Sequence, residues 1–247
     1  MLGEGGMELV SRPERVLRAL LVCIALLIVA HFASDALYHT VSRGLIATRL
    51  RKLFLFDGEG NLPAYFSALV ILGAGLAFGV AGQVEAQRKG PWKTHLFVLA
   101  FALVFLSIDE AAQIHEVIDS ATSYILLRTG LLEPNSSLAW PWVIPYVSVA
   151  LAGALLYIPF LRALPRSVAV ILCMAGAIFV CGAAGLDMLE GLLTRRTDAG
   201  AQASAMFVVQ AIEETMEMLG MSLLLFGALR YLQHQKARLA IQLAPAT

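Results

Sequence analysis

Lys93-Thr-His-Leu-Phe-Val-Leu-Ala-Phe-Ala-Leu-Val-Phe-Leu-Ser107 runs straight into Ile108-Asp109-Glu110-Ala-Ala-Gln113-Ile-His115-Glu116-Val-Ile-Asp119. The first half has the continuous apolar character of a helix crossing a hydrocarbon core about 30 Å thick, which takes about 20 residues. The second half extends the same helix with acids, an amide and an imidazole. This stretch therefore sets both the fold, a membrane helix, and the chemical question of what ionisable groups do there.

Comparable runs recur on both sides. The chain of 247 residues is 59% hydrophobic and 15% charged, against roughly 25% charged in soluble domains, which excludes an ordinary soluble globule. Six spans are expected, over residues 16–38, 62–84, 94–126, 140–161, 167–193 and 203–231. The fold class is all-α, a polytopic six-helix membrane bundle forming one domain over residues 1–247. The third, fifth and sixth spans exceed the crossing length, so they tilt or project beyond the bilayer. Cys23, Cys173 and Cys181 lie inside apolar runs without pairing motifs and read as small core hydrophobes. Glycines 73, 75, 79 and 82, and 176, 182 and 185, read as faces for close helix contact.

The 18 basic and 18 acidic residues balance, with no clustered basic face for a nucleic-acid partner. Orientation follows from the basic residues flanking the spans. Both termini on the cytoplasmic side place eleven inside: Arg12, Arg15, Arg18, Arg88, Lys89, Lys93, Arg162, Arg166, Arg230, Lys236 and Arg238. Four of the remaining seven, Arg43, Arg49, Arg51 and Lys52, alternate with Leu45, Ile46, Leu50, Leu53 and Phe54 in one connection. That pattern fits an amphipathic helix lying in the interface.

The acids behave differently from the bases. Lys and Arg stay at or beyond span ends, while Asp35, Asp109, Glu110, Glu116, Asp119, Asp187, Glu190, Glu213, Glu214 and Glu217 fall within spans. An ionised carboxylate at bilayer depth costs about 2.5–3.5 kcal/mol on insertion scales, and no basic residue within a span stands ready to offset it. Protons, bound cations or a wet cavity must do so. In one continuous helix Asp109 and Glu116 share a face with Gln113, beside His115 and Asp119. Asp187 and Glu190 are three apart, and Glu213, Glu214 and Glu217 occupy one turn. His31, Asp35 and His39 recur at four-residue steps and form a secondary polar site with Asp119. At 1.5 Å rise per residue, these groups converge in depth towards the outer half of the bilayer.

A mixed carboxylate and imidazole set suits a hard or borderline divalent metal. The expected ligands are Asp109, His115, Glu116, Asp187, Glu190, Glu213 and Glu217, for zinc, iron or manganese. Glu110 or Glu214 is then the general base, because a metal lowers the pKa of bound water to about 7. The leading expectation is a metal-dependent enzyme, hydrolase or oxidoreductase, acting on a lipid or amphiphile near the outer face. The alternatives are a proton- or cation-coupled transporter, and an assembly subunit whose acids pair with basic residues of a membrane-protein partner.

Asp109-Glu110-Ala-Ala-Gln-Ile-His115-Glu116, the Asp57…Asn61-Leu-Pro63 entry to the second span and the acid-rich last span together resemble a group of uncharacterised bacterial multipass membrane proteins. The resemblance covers most of the chain and implies a bacterial inner membrane, with no activity attached. Two likenesses are more distant. The alkaline-ceramidase and adiponectin-receptor hydrolases are similar in having a zinc site near one membrane face, although Glu213 and Glu217 stand here where that group has histidines. Ferritin-like di-iron proteins are similar in gathering carboxylates from several helices, but His115 follows Glu110 by five residues rather than completing a Glu-x-x-His motif.

Overall fold

Helix formation follows the apolar runs, and polar residues set the boundaries. The computed structural model describes residues 7–8, 12–41, 43–56, 58, 60–131, 143–186, 188–189, 199–236 and 240–241. The helices are α1 (Pro13–Thr40), α2 (Leu45–Phe54), α3 (Leu62–Gln87), α4 (Lys93–Ala112), α5 (Ile114–Arg128), α6 (Val143–Ala163), α7 (Arg166–Val180) and α8 (Ala199–His234), with a π-helical turn, Cys181–Leu186, continuing α7. Met7–Glu8 and Ala240–Ile241 pair antiparallel and bring the terminal segments together. The α3 start is built as the sequence implies. The Asn61 side chain accepts from Ala64 N at 3.0 Å and donates to the carbonyls of Leu55 and Gly58, while Pro63 sits in the first turn, where its missing N–H leaves no bond unmade.

Five helices are long and apolar enough to cross a membrane: Pro13–Thr40, Leu62–Gln87, Lys93–Ala112, Ile144–Ala163 and Arg166–Leu186. The sequence reading expected six. The last helix is long enough, at about 54 Å for 36 residues, but Glu213, Glu214 and Glu217 interrupt its apolar run.

The expected single third span, 94–126, is corrected to two helices. Gln113 adopts the left-handed conformation at φ 58° and divides it into α4 and α5. A side chain there is strained relative to glycine. The axis turns at this residue, so the continuous stripe expected to hold Asp109 and Glu116 together does not exist.

α3 lies between α4 and α8. Its small residues let both neighbours approach: a Cβ on Gly75 would meet Ala100 O at 3.2 Å, and one on Gly73 would meet Leu225 at 3.5 Å. α7 crosses α8 as closely, with Gly220 against Phe179 and Ala175 O. By contrast Gly176 and Gly185 have nothing within 4 Å of an added Cβ. The main core gathers Ile71, Ala74, Phe78, Leu103, Leu172 and Met221 among others. All three cysteines are exposed, on the outer surface of the helices rather than in the core. In a membrane protein that surface is lipid-facing, so an apolar run does not distinguish the two environments.

Candidate functional site

Contacts along α3 fix which residues stand at one level. Ser107 Oγ donates to Ala68 O at 2.7 Å, which sets Asp109 beside the first two turns of α3. Phe66, in those turns, packs on a cluster formed by Ile24, Phe56 and, from α8, Ala211 and Met218. The π-helical turn reaches the same level from α7: a Cβ on Gly182 would lie 3.1 Å from Glu213 O and Met216 Cβ, and 3.3 Å from Glu217 Cγ. Asp109, the π turn and the Glu213–Glu217 turn thus share one layer, close to the α3 N-terminus. At the opposite end of the bundle Arg230 Nη1 bonds Glu14 Oε1 at 2.8 Å, and Arg88 donates to Gln235 O at 2.5 Å.

Within this layer Asp109 is 5% exposed, and both of its oxygens are engaged. Oδ1 accepts from His115 N at 2.6 Å and lies 3.4 Å from His115 Nδ1, while Oδ2 accepts from the Tyr146 hydroxyl at 2.9 Å. The first bond follows from the break at Gln113. A new helix begins at Ile114 with unsatisfied amides, and the carboxylate one turn back caps one of them. Tyr146, near the start of α6, was not anticipated from sequence; a lone tyrosine after Pro145 carries no distance information.

The other acids of the layer are half-buried. Glu110 lies seven residues after buried Leu103, on the stripe that supplies the core. Glu217 lies four before buried Met221, and Glu214 four before buried Met218. These carboxylates therefore continue the core stripes of α4 and α8 towards one end. Ser67, four residues before Ile71 on the buried side of α3, is 4% exposed, and its Oγ has no hydrogen-bond partner among the described residues. A buried hydroxyl left unpaired loses free energy, so its place in the acidic layer suits a polar ligand. Sequence reading overlooked Ser67 because serine is ordinary in a membrane helix.

Asp119 is half-buried and Glu116 exposed on α5. Asp187 and Glu190 lie outside the described residues, immediately beyond the π turn. Among the described residues no three of His, Cys, Asp or Glu gather closely enough to hold a metal ion. Asp109 and His115 do meet.

The secondary polar site has its own architecture. His31, 1% exposed, stacks on Phe207 at 4.5 Å between centroids and also packs on Phe56 at 4.6 Å. Its Nδ1 accepts from Phe56 N at 3.1 Å, leaving Nε2 as the protonated nitrogen if the ring is neutral. Asp35 binds Arg51 Nε at 2.6 Å and lies 3.6 Å from His39 Nε2. Arg51 lies outside the spans, so the absence of basic residues within them does not leave Asp35 without a cationic partner. The partner comes from α2, folded back on α1. Asp119 stands on α5, whereas the contacts just described come from α1, α2 and Phe207 of α8.

The chain belongs to the family described as a domain of unknown function (DUF8692), whose family model matches residues 19–232. No curated protein and no solved structure matches it.

Proposed function

We propose that this is an integral membrane protein of six crossings, with both termini cytoplasmic in a bacterial inner membrane, that binds a divalent metal in the acidic layer at its outer face. The observation that carries the reading is the packing of Gly182 on the Glu213–Glu217 turn. It brings the chain just ahead of Asp187 and Glu190 onto three carboxylates of α8, at the level of Asp109. Repulsion among three acids in one turn is relieved by a bound cation, and π-helical turns often mark functional positions.

In this reading Glu213 and Glu217, with Asp187 and Glu190, are the principal ligands. His115 and Glu116 contribute from α5, and Asp109 orients His115. A carboxylate beside Nδ1 is the usual means of presenting Nε2 to a metal. Glu110 or Glu214 serves as general base towards a lipid or amphiphilic substrate entering from the bilayer. Zinc would support hydrolysis; iron or manganese would support oxidation. The sixth crossing is α8, which runs antiparallel to α1 from the Glu14–Arg230 pair to the Phe207–His31 stack.

Elemental analysis of detergent-purified protein is the test. About one zinc, iron or manganese per chain is expected in the wild type, with loss in monodisperse Glu213→Gln/Glu217→Gln. A well-folded, metal-free wild type overturns the reading and leaves proton-coupled transport or pairing with a membrane partner.

A further inference from the structure

The helix α2 is held to the bundle by one side and presents the other. Ala47 is buried and Arg51 is committed to Asp35, while Phe56, just beyond the helix, is buried and bonded to His31. At 100° per residue, Lys52, Leu45, Arg49, Leu53 and Ile46 follow one another around the opposite sector. All five are exposed, Leu45 by 74% and Ile46 by 76%. The sector thus has an apolar side, Leu53 and Ile46, and a basic side, Arg49 and Lys52, with exposed Arg43 just before the helix. Residues 36–56 contain no acid, and of the acids flanking them Asp35 is already bound to Arg51.

We infer that α2 is a binding surface for anionic phospholipid headgroups, with Ile46 and Leu53 entering the acyl boundary and Arg49, Lys52 and Arg43 meeting the phosphates. Charge selects the occupant. A purely apolar ridge would accept any lipid, whereas cations bordering an apolar strip gain from anionic headgroups in addition. The attachment by Arg51 and His31 fixes the ridge in the interface rather than leaving it on a loose tether. This also accounts for four basic residues on the side opposite the termini, against the usual bias, since they are occupied by protein and lipid there. The inference rests on the membrane reading but not on the metal site, and a metal-free protein would leave it intact.

The test uses delipidated full-length protein titrated with phosphatidylglycerol or phosphatidylcholine and followed by native mass spectrometry. Wild type is expected to bind phosphatidylglycerol at least about tenfold more tightly, and the preference should weaken roughly fivefold per charge removed. Arg49→Gln/Lys52→Gln should therefore abolish it, while Arg162→Gln/Arg166→Gln, in another connection, should keep it. Raising salt from about 0.05 to 0.5 M should weaken the wild-type preference through screening, a measurement that needs no variant. Equal retention of both lipids by wild type, or a preference unchanged in Arg49→Gln/Lys52→Gln, overturns the inference.

Discussion

Asp109 joins three elements through two oxygens: it ends α4, caps α5 and receives Tyr146 from α6. Its removal should therefore exceed the loss of any one partner. Tyr146→Phe deletes one hydrogen bond to a charged acceptor and should destabilise by about 1.5–3 kcal/mol, whereas Asp109→Ala also removes the α5 cap, a further ~1 kcal/mol. Unfolding of the purified variants in detergent gives the comparison. Because the Tyr146 bond is absent from both, Tyr146→Phe should add little in an Asp109→Ala background; full additivity would show that the two residues act separately. The acids were legible in the sequence as a class, but this role was not. The expected Asp109–Glu116 stripe presumed a continuous helix, and neither glycine nor proline announces the turn at Gln113. Arg51 was equally visible as a basic residue on an amphipathic helix, yet its pairing with Asp35 depends on α2 folding back across 16 residues.

Close helix approach separates glycines that the sequence grouped together. Gly182 and Gly176 both read as small-residue contacts, but a Cβ on Gly182 would lie 3.1 Å from Met216 Cβ, whereas one on Gly176 would meet nothing within 4 Å; Gly220, which the sequence reading did not mark, is closer still, at 2.8 Å from Phe179 Cβ and N. Gly220→Ala should force α7 from α8 and lower stability by about 1–3 kcal/mol, as overpacking does. Gly176→Ala should be neutral or slightly stabilising through better helix propensity. Thermal unfolding of the two variants in the same detergent separates them, and equal effects would remove the close α7–α8 contact as a determinant. The helices themselves were readable because apolar length is local. Their glycine contacts were not, since a small residue on a lipid-facing side looks the same as one beneath a neighbouring helix. The π turn at Cys181–Leu186 was hidden for the same reason: its sequence, Cys-Gly-Ala-Ala-Gly-Leu, is ordinary for a membrane span.

At the scale of the molecule, the arrangement of the ends constrains the number of crossings. α1 begins where α8 finishes, at the Glu14–Arg230 pair, and the adjoining terminal segments meet through Met7–Glu8 and Ala240–Ile241. Termini on one side require an even number of crossings. Among the described residues five helices satisfy length and apolarity together, and in the proposed reading α8 supplies the sixth crossing despite its acids. The Glu213–Glu217 turn is level with the start of α3 rather than its middle; the apolar stretch from Leu219 to Leu229 covers about 16 Å of a hydrocarbon core about 30 Å thick, so in the proposed reading the acids enter the outer part of that core. Reporter fusions decide the matter. Green fluorescent protein after Thr247 should fluoresce and alkaline phosphatase there should be silent, as for a cytoplasmic end, whereas phosphatase after Gly130, beyond α5, should be active. Active phosphatase after both Gly130 and Thr247 would leave α6 and α7 as the crossings between them and remove α8, with its acidic layer, from the membrane, whereas activity after Thr247 with silence after Gly130 would invert the orientation.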